Sequence, residues 1–353
     1  MPGGGAWVRR GEWLEVMPGR AVTSEADKEA AADRWLLETA GMPEKLHTRL
    51  RREGGIRLQG DRLRLALFPA REAGIEPAWD GAGAEVLYED DFVLVMHKPS
   101  GMAVHPDGSG TATTLDHVVA AHYAAAGGGI AVRHIHRLDK DTTGPVLYAK
   151  NEYAQLVLDE DLRQKAVSRQ YAAIVAGTVP ASLQVIDAPI GRDRHHAARR
   201  RVSPGGQPAV TRITGHEPLA HGTVVTAMLE TGRTHQIRVH LSHAGHPLYG
   251  DKLYGGPAWV TSVAERQWGS ASPAPESASP QRSAPVLPGA RGAAAGSAAK
   301  PQHEAVTPAK TEERQALHGE LLVFRHPWTR RPVEVADPWP EDMLRLKGIL
   351  SAT

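Results

Sequence analysis

The stretch from Ala264 to Lys310 is so rich in Ala, Ser, Pro and Gly that it has little with which to build a core. Pro273, Pro275, Pro280, Pro285 and Pro288 fall close together, and few large apolar residues are available to offset chain entropy. The composition predicts disorder. Folded sequence resumes beyond it at Ala316-Leu317-His318 and Leu321-Leu322-Val323-Phe324. The stretch 264–310 therefore reads as an insertion looped out between two strands of one domain. Such insertions cost little once their ends are held, because closure entropy grows slowly with length.

Before the insertion two segments stand apart. After a 1–20 N-terminal extension, the first runs over 21–77. Ala26 to Leu37 reads as a helix, Lys45 to Arg52 as a second, basic helix, and Gly54 to Asp61 as a hairpin around a Gly-containing turn. The second covers 85–345, with the insertion inside it. Val86-Leu87-Tyr88, Val93 to Met96, Pro145 to Lys150, Tyr171 to Ala176 and Val224 to Leu229 read as strands. Asn151 can cap a helix that places Ala154, Val157, Leu158 and Leu162 on one face. Thr234 can cap a short helix with Ile237, Leu241 and Ala244 inside, ended by Gly245 and Pro247. Strands outnumber helices and close turns separate many of them, which predicts an α+β domain with a largely antiparallel mixed sheet.

Composition narrows the function classes. The 353 residues contain no cysteine, so neither a disulfide framework nor a thiolate metal site can exist, which suits a reducing cytosol. No apolar run approaches the length of a membrane span. The expectation is a cytoplasmic monomer with no membrane partner. Lys+Arg at 41 against Asp+Glu at 40 does not announce a nucleic-acid partner. Charge is local instead: Arg49, Arg51 and Arg52 cluster near the start, and Arg192, Arg199 and Arg200 in the middle. Each cluster is either a solvated face or a set of phosphate contacts.

Two polar stretches carry the chemistry. His134 to Gly144 lies between apolar segments, as a loop at a sheet end does. Asp139 within it is flanked by Arg137 and Lys140, cations that keep a carboxylate ionised and usable as a nucleophile. An Asp that only caps the turn is the plain alternative. The second stretch, Glu230 to His240, joins a strand to a short helix. Arg238 follows the inward-facing Ile237, so it points away from the buried face, and a bidentate pair with Asp139 would orient the carboxylate. An ordinary surface Arg is the alternative. His235, His240, His243 and His246 invite a metal. However, their spacing does not put three on one helical face, and no ligand carboxylate pair is adjacent, so no metal is expected.

These stretches resemble the signature motifs of the RluA-type family of RNA pseudouridine synthases. His136-Arg137-Leu138-Asp139 followed by Thr142-Thr143-Gly144 resembles the pattern around the family's nucleophile, and Thr231 to Arg238 matches a second pattern whole. Tyr88 to Asp91, Lys98 to Gly101, Gly245 to Asp251, Leu253 to Gly255, Leu317-His318 and His326-Pro327 are supporting blocks. The likeness spans roughly Glu85 to Met343 without the insertion. Two positions depart from it. Thr143 stands where the family has Ser, and Arg169-Gln170-Tyr171 where it has Lys-x-Tyr.

The resemblance implies the pseudouridine synthase fold and an RNA substrate, ribosomal rather than transfer RNA. It implies catalysis by Asp139, Tyr171 and Arg238, with substrate contacts from Arg137, Thr143, Gly232, Arg233, His235, Gln236 and Ile237. Tyr171 would be the platform for a flipped base, Arg137 would contact RNA, and His136 would brace the loop by hydrogen bonding. Isomerisation changes neither redox state nor composition, so no cofactor is expected. Two helices and a hairpin in 21–77 resemble a small S4-like RNA-binding module. Its arginines would supply phosphate contacts, and its removal would spare the catalytic fold; a small α/β appendage is the alternative. A non-catalytic RNA-binding or ribosome-assembly factor on the same fold competes with the enzyme reading, and the intact Asp139, Tyr171 and Arg238 argue against it. A metal-dependent hydrolase using the histidines is a third reading.

Overall fold

The computed structural model of the chain describes residues 4–106, 108, 112–259 and 313–352, so the insertion at 264–310 lies outside the described residues. The polypeptide is α+β, as its patterning predicts. An N-terminal unit holds strands β1 (Trp7–Arg10) and β2 (Trp13–Val16), helices α1 (Arg20–Thr23), α2 (Lys28–Glu38) and α3 (Glu44–Arg52), then β3 (Ile56–Gln59) and β4 (Arg62–Leu65). The two longer helices and the β3–β4 hairpin match the expected order. The stretch 1–20 is more than an extension, because its β1–β2 hairpin joins the same sheet in the order β1-β2-β4-β3, with Leu14 opposite Leu65. Leu14 and Val16 alternate inward with two polar-flanked positions.

The remainder is built on two antiparallel sheets. One is three-stranded, β5 (Glu85–Glu89), β6 (Val93–Lys98) and β7 (Gly144–Ala149) in sequence order. The other contains β8 (Ser168–Val175), β9 (Val185–Asp187), β12 (Val210–Leu219), β13 (Gly222–Leu229), β14 (Leu317–Arg325) and β15 (Pro332–Ala336), in the order β15-β14-β8-β13-β12-β9. A separate hairpin pairs β10 (Ile190–Arg192) with β11 (Arg200–Val202). Helices α4 (Leu115–Ala125), α5 (Glu152–Arg163), α6 (Gln236–His243) and α7 (Glu341–Ser351) cover the sheets. Asn151 caps α5 through Ala154 N at 2.8 Å, as expected.

The two sheets meet where β14 crosses the start of β7. Thr143 and His318 form a parallel bridge there. The approach needs glycine at 144: a Cβ there, at φ +136°, would lie 2.7 Å from the Gly319 carbonyl oxygen. Strand β14 follows the insertion yet sits inside the six-stranded sheet, between β15 and β8. Trp259 Nε1 donates to the Arg314 carbonyl at 2.6 Å, which holds the two ends of 260–312 together.

The N-terminal unit is not a detachable appendage. One apolar core runs from Leu14, Trp35, Leu36, Leu46 and Leu63 into Phe92, Tyr153, Phe324 and Trp328. Trp35 lies 6.3 Å from Trp328, whose ring stacks on Phe92 at 5.9 Å. The Tyr153 hydroxyl donates to Ala40 O at 2.7 Å. Arg49 closes the seam with a bidentate pair to Glu152, at 2.8 and 2.7 Å. Removing residues 1–77 would strip water-excluding cover from Phe92, Tyr153 and Trp328, contrary to the expectation that this deletion spares the catalytic fold.

Calorimetry should therefore show one cooperative transition for both units. Trp35→Ala, which opens a cavity in the seam, should lower stability by about 3–5 kcal/mol and shift that whole transition. Two resolved transitions, with only one moved by the substitution, would show that the cores are independent.

Candidate active site

The turn bearing Asp139 is closed by Thr142 N donating to Asp139 O at 3.1 Å. It is gripped from two directions. From the end of β6, the fully buried Lys98 donates to the carbonyls of Pro99, Met102 and Lys140, each at 2.7 Å. Burial pulls Lys98 down to about 7, against the raising effect of Asp141 and Asp139. Three carbonyl acceptors match the three N–H groups of an ammonium, whereas a neutral amine has two, so the anchored state is the protonated one. From the approach to β14, Gln315 Nε2 donates to Thr142 Oγ1 at 3.1 Å and Arg314 Nη1 to Asp141 O at 3.3 Å. His136, pushed down to about 3 mainly by burial, is neutral and accepts from Leu147 N at 3.3 Å. It braces the loop as expected.

Thr143 does not face the cleft. It is buried, and its Oγ1 shares a 2.8 Å hydrogen bond with His318 Nδ1. The expected substrate contact is corrected here: this hydroxyl belongs to the seam between the sheets.

Arg238 is buried on α6, not exposed, and it reaches two carboxylates. Its Nε and Nη2 donate to Asp251 at 2.7 and 2.9 Å, and its Nη1 donates to Asp139 Oδ2 at 3.1 Å. The bidentate pair thus forms with Asp251, while Asp139 receives one bond. Burial works against the Arg238 charge, but Asp251, seconded by Asp139, outweighs it and holds the guanidinium protonated above its ordinary range. The Tyr254 ring lies 5.1 Å from the guanidinium carbon, and its hydroxyl bonds His235 Nδ1 at 2.8 Å. His235, not Thr234, is the N-cap of α6, in the left-handed region at φ +59°. Burial lowers its proton affinity, partly offset by Asp139, whose Oδ2 is 4.0 Å from Nε2.

Asp139 lines two adjoining hollows. One, of about 350 Å³, is walled by Ile135 to Asp139, Leu162, Arg169, Tyr171, Leu229 to Arg238 and Leu317. The other adds Val104, His105, Gly250 to Leu253 and Arg314. Of the expected substrate contacts, Arg137, Gly232, Arg233 and His235 present surface to the cleft. Arg137 is exposed and donates to His105 Nε2 at 3.2 Å. Gln236 and Ile237 line the wall but are buried. Gln236 ties its own loop to Val210 O and Thr211 Oγ1, and Ile237 packs in the core. Tyr171 is buried with one edge toward the cleft, and burial, helped by Asp139 and opposed by Arg169, raises its hydroxyl above the ordinary range.

The arginine clusters divide. Arg49 is spent on Glu152, and Arg51 Nε on Asp33 at 2.6 Å, so neither is a ready phosphate contact. Arg52 is exposed, with only Glu53 nearby at 3.4 Å. On the β10–β11 hairpin, Arg192 and Arg199 are exposed, and Arg199 lies 5.6 Å over the Tyr254 ring. Arg200 N donates to the Tyr254 hydroxyl at 2.9 Å, which links the hairpin to the His235–Arg238 network. His240 and His246 bond backbone or hydroxyl partners of their own, Ala188 O and Thr211 Oγ1 for one and Ala176 O for the other.

The sequence alone does not mark Lys98, Asp251 and Tyr254 as parts of this site, and it shows Arg169 only as a departure from the family pattern. Lys98, Asp251 and Tyr254 stood inside blocks that were noticed, but nothing in their spacing to Asp139 or Arg238 shows which side chains meet. Asp251→Ala would leave Arg238 a half-compensated buried charge, a loss of about 3–5 kcal/mol. Asp251→Asn keeps the shape and half of the acceptors, so it should fold better while still slowing any reaction at Asp139. A wild-type rate and melting temperature in Asp251→Asn would remove Asp251 from the support of this site.

Comparison with known proteins accords with this geometry. A sequence profile for RNA pseudouridylate synthase matches residues 92–243. The chain is 44% identical over 200 residues to the uncharacterized RNA pseudouridine synthase YhcT of Bacillus subtilis, covering 56% of this chain and 66% of that protein. It is 34% identical over 261 residues to the ribosomal large subunit pseudouridine synthase D of Vibrio cholerae, covering 74% of this chain and 69% of that one. Among solved structures, human RNA pseudouridylate synthase domain containing 4 shares the fold, with a TM-score of 0.52 and 21% identity over 75% of this chain and 92% of that chain. A cleft built on the turn and helix that carry these motifs, and relatives alike over most of their length, place the chain in the RNA pseudouridylate synthase family.

Proposed function

We propose that this chain isomerises uridine in large-subunit ribosomal RNA, with Asp139 as nucleophile, working as a cytoplasmic monomer. The observation that carries the reading is the Asp139 carboxylate, held 3.1 Å from a buried guanidinium in a cleft whose wall includes Tyr171. The ribosomal target is carried over from the relatives named above.

The reaction breaks the N1–C1′ bond, turns the base, joins C5 to C1′, removes the C5 proton and leaves N1 protonated, so the nucleotide keeps its composition. The base must leave its stack to reach a recessed carboxylate. Arg238 fixes one oxygen of Asp139 and leaves the other to attack C1′ or C6. Because Tyr171 is held protonated by burial, it offers the flipped base a ring edge or hydroxyl rather than a phenolate base. Arg137, exposed at the mouth, is placed to enter the gap left by the base. Arg52, Arg192 and Arg199 are the expected backbone contacts, and the S4-like order of the N-terminal helices and hairpin supports that unit as part of the RNA surface.

Asp139→Asn should abolish isomerisation while leaving RNA affinity within a few-fold, since the amide keeps the shape but cannot attack. Carbodiimide mapping of stable RNA from cells lacking the protein identifies the uridine to use. Substantial turnover by a verified Asp139→Asn protein would sink the assignment. Tyr171→Phe should retain binding and much of the rate. A complete loss with binding intact would make the hydroxyl a proton carrier.

A further inference from the structure

We propose that Arg169 is a substrate-binding residue that holds the backbone phosphate of the flipped nucleotide. The inference rests on reading the cleft as a uridine site, and it adds a contact that the motif likeness does not assign.

Arg169 and Tyr171 lie two residues apart on β8, so both face the cleft while Gln170 turns the other way to Glu320 Oε1 at 3.0 Å. Along a strand that spacing is about 7 Å, a reach comparable with that from a base to its own phosphate. Arg169 is half-buried, and its Nε is buried with no hydrogen-bond partner. The two carboxylates lining the same cleft are engaged elsewhere. Asp139 takes Arg238, and Glu230 takes Lys165 at 2.9 Å and Arg212. The other cleft arginines have partners as well: Arg137 bonds His105, Arg233 Nε donates to Pro208 O, and Arg238 is spent on Asp251 and Asp139.

A cation held in a recess without a carboxylate is matched to an anion that arrives with the ligand. Uracil is neutral; the anion of the same nucleotide is its phosphate, which a guanidinium fork grips in two places. The opposite wall makes room for that fork. A Cβ on Gly232 would stand 3.3 Å from Nη1 and 3.6 Å from Nη2 of Arg169, so glycine lets the guanidinium lie flat against the Thr231-to-Arg238 loop.

The test uses the full chain and a short oligonucleotide carrying the mapped uridine, with a methylphosphonate replacing the phosphate on its 5′ or its 3′ side in turn. Single-turnover rates are measured against protein concentration. Arg169→Met is expected to raise the half-saturating concentration tenfold or more, with the saturated rate within threefold, and Arg169→Lys to recover part of the loss. One methylphosphonate should weaken wild type by a similar factor and Arg169→Met by less than twofold. Gly232→Ala, which crowds the guanidinium, should fall between wild type and Arg169→Met. In the Asp139→Asn background, Arg169→Met should lower the salt slope of RNA binding by roughly one phosphate's share, about 0.7–0.9.

An unchanged half-saturation in Arg169→Met, or a methylphosphonate penalty equally large with and without Arg169, would overturn the proposal. Should Arg169→Met misfold, the absence of any methylphosphonate penalty on wild type would overturn it alone. The binding arm needs no turnover. Wild-type protein that binds the oligonucleotide but forms no pseudouridine would therefore overturn the enzymatic reading and still decide the role of Arg169.

Discussion

The buried guanidinium of Arg238 is the point on which the rest of the site turns. Taking such a charge out of water costs several kcal/mol unless it is paired and its hydrogen bonds are met. Asp251, wholly buried, supplies two of those bonds and full compensation, and the Tyr254 ring covers the guanidinium. Only then is the third direction, toward Asp139, fixed in space. A guanidinium that met Asp139 alone would be free to swing with it. Pinned to Asp251, it instead defines where the Asp139 carboxylate must sit.

The turn around Asp139 is stiff for a related reason. Its backbone carbonyls and hydroxyls are met by Lys98 on one side and by Arg314 and Gln315 on the other. Those last two residues follow 260–312 directly, so the integrity of the site depends on the strand beyond the insertion returning to its place. The Gly144–Gly319 approach and the Thr143–His318 bond close that return. Farther out, the common aromatic core ties the N-terminal unit to Phe92, at the start of the sheet that ends in Lys98. Strand β6 connects that core, through Lys98, to the turn bearing Asp139.

Much of this was legible in the sequence where a signal was local. Asn151 before an apolar face announced α5, the apolar stretches 171–176 and 224–229 announced β8 and β13, and the two polar stretches named the right loops. What was not legible depends on contacts between distant residues. Ile237 was taken to define the buried side of α6, which left Arg238 outward; yet its neighbour Asp251 makes burial of the charge tolerable, and no one-dimensional pattern shows that pairing. The family resemblance implies a substrate contact for Thr143, but the crossing of β14 turns it to His318. The basic face of α3 looked like a phosphate surface until Glu152 and Asp33, far along the chain or on another helix, were seen to neutralise Arg49 and Arg51. The β1–β2 hairpin was not anticipated, although its strands are no shorter than those of the β3–β4 hairpin that was.

The arrangement also explains how several arginines share one small cleft without all of them pairing with Asp139. Arg238 is saturated by two carboxylates and gives Asp139 a single bond. His235 stands 4.0 Å away, but burial favours its neutral form, so it adds no second full charge. Arg137 is drawn outward to His105, and Arg233 to Pro208 O. Arg169 is kept on the far wall, against Gly232 and beside Tyr171. A carboxylate surrounded by free guanidinium groups would be a strong ion pair and a poor nucleophile. Here each cation has its own partner or its own wall, and on the proposed reading the Asp139 oxygen that Arg238 does not hold is the one that meets carbon.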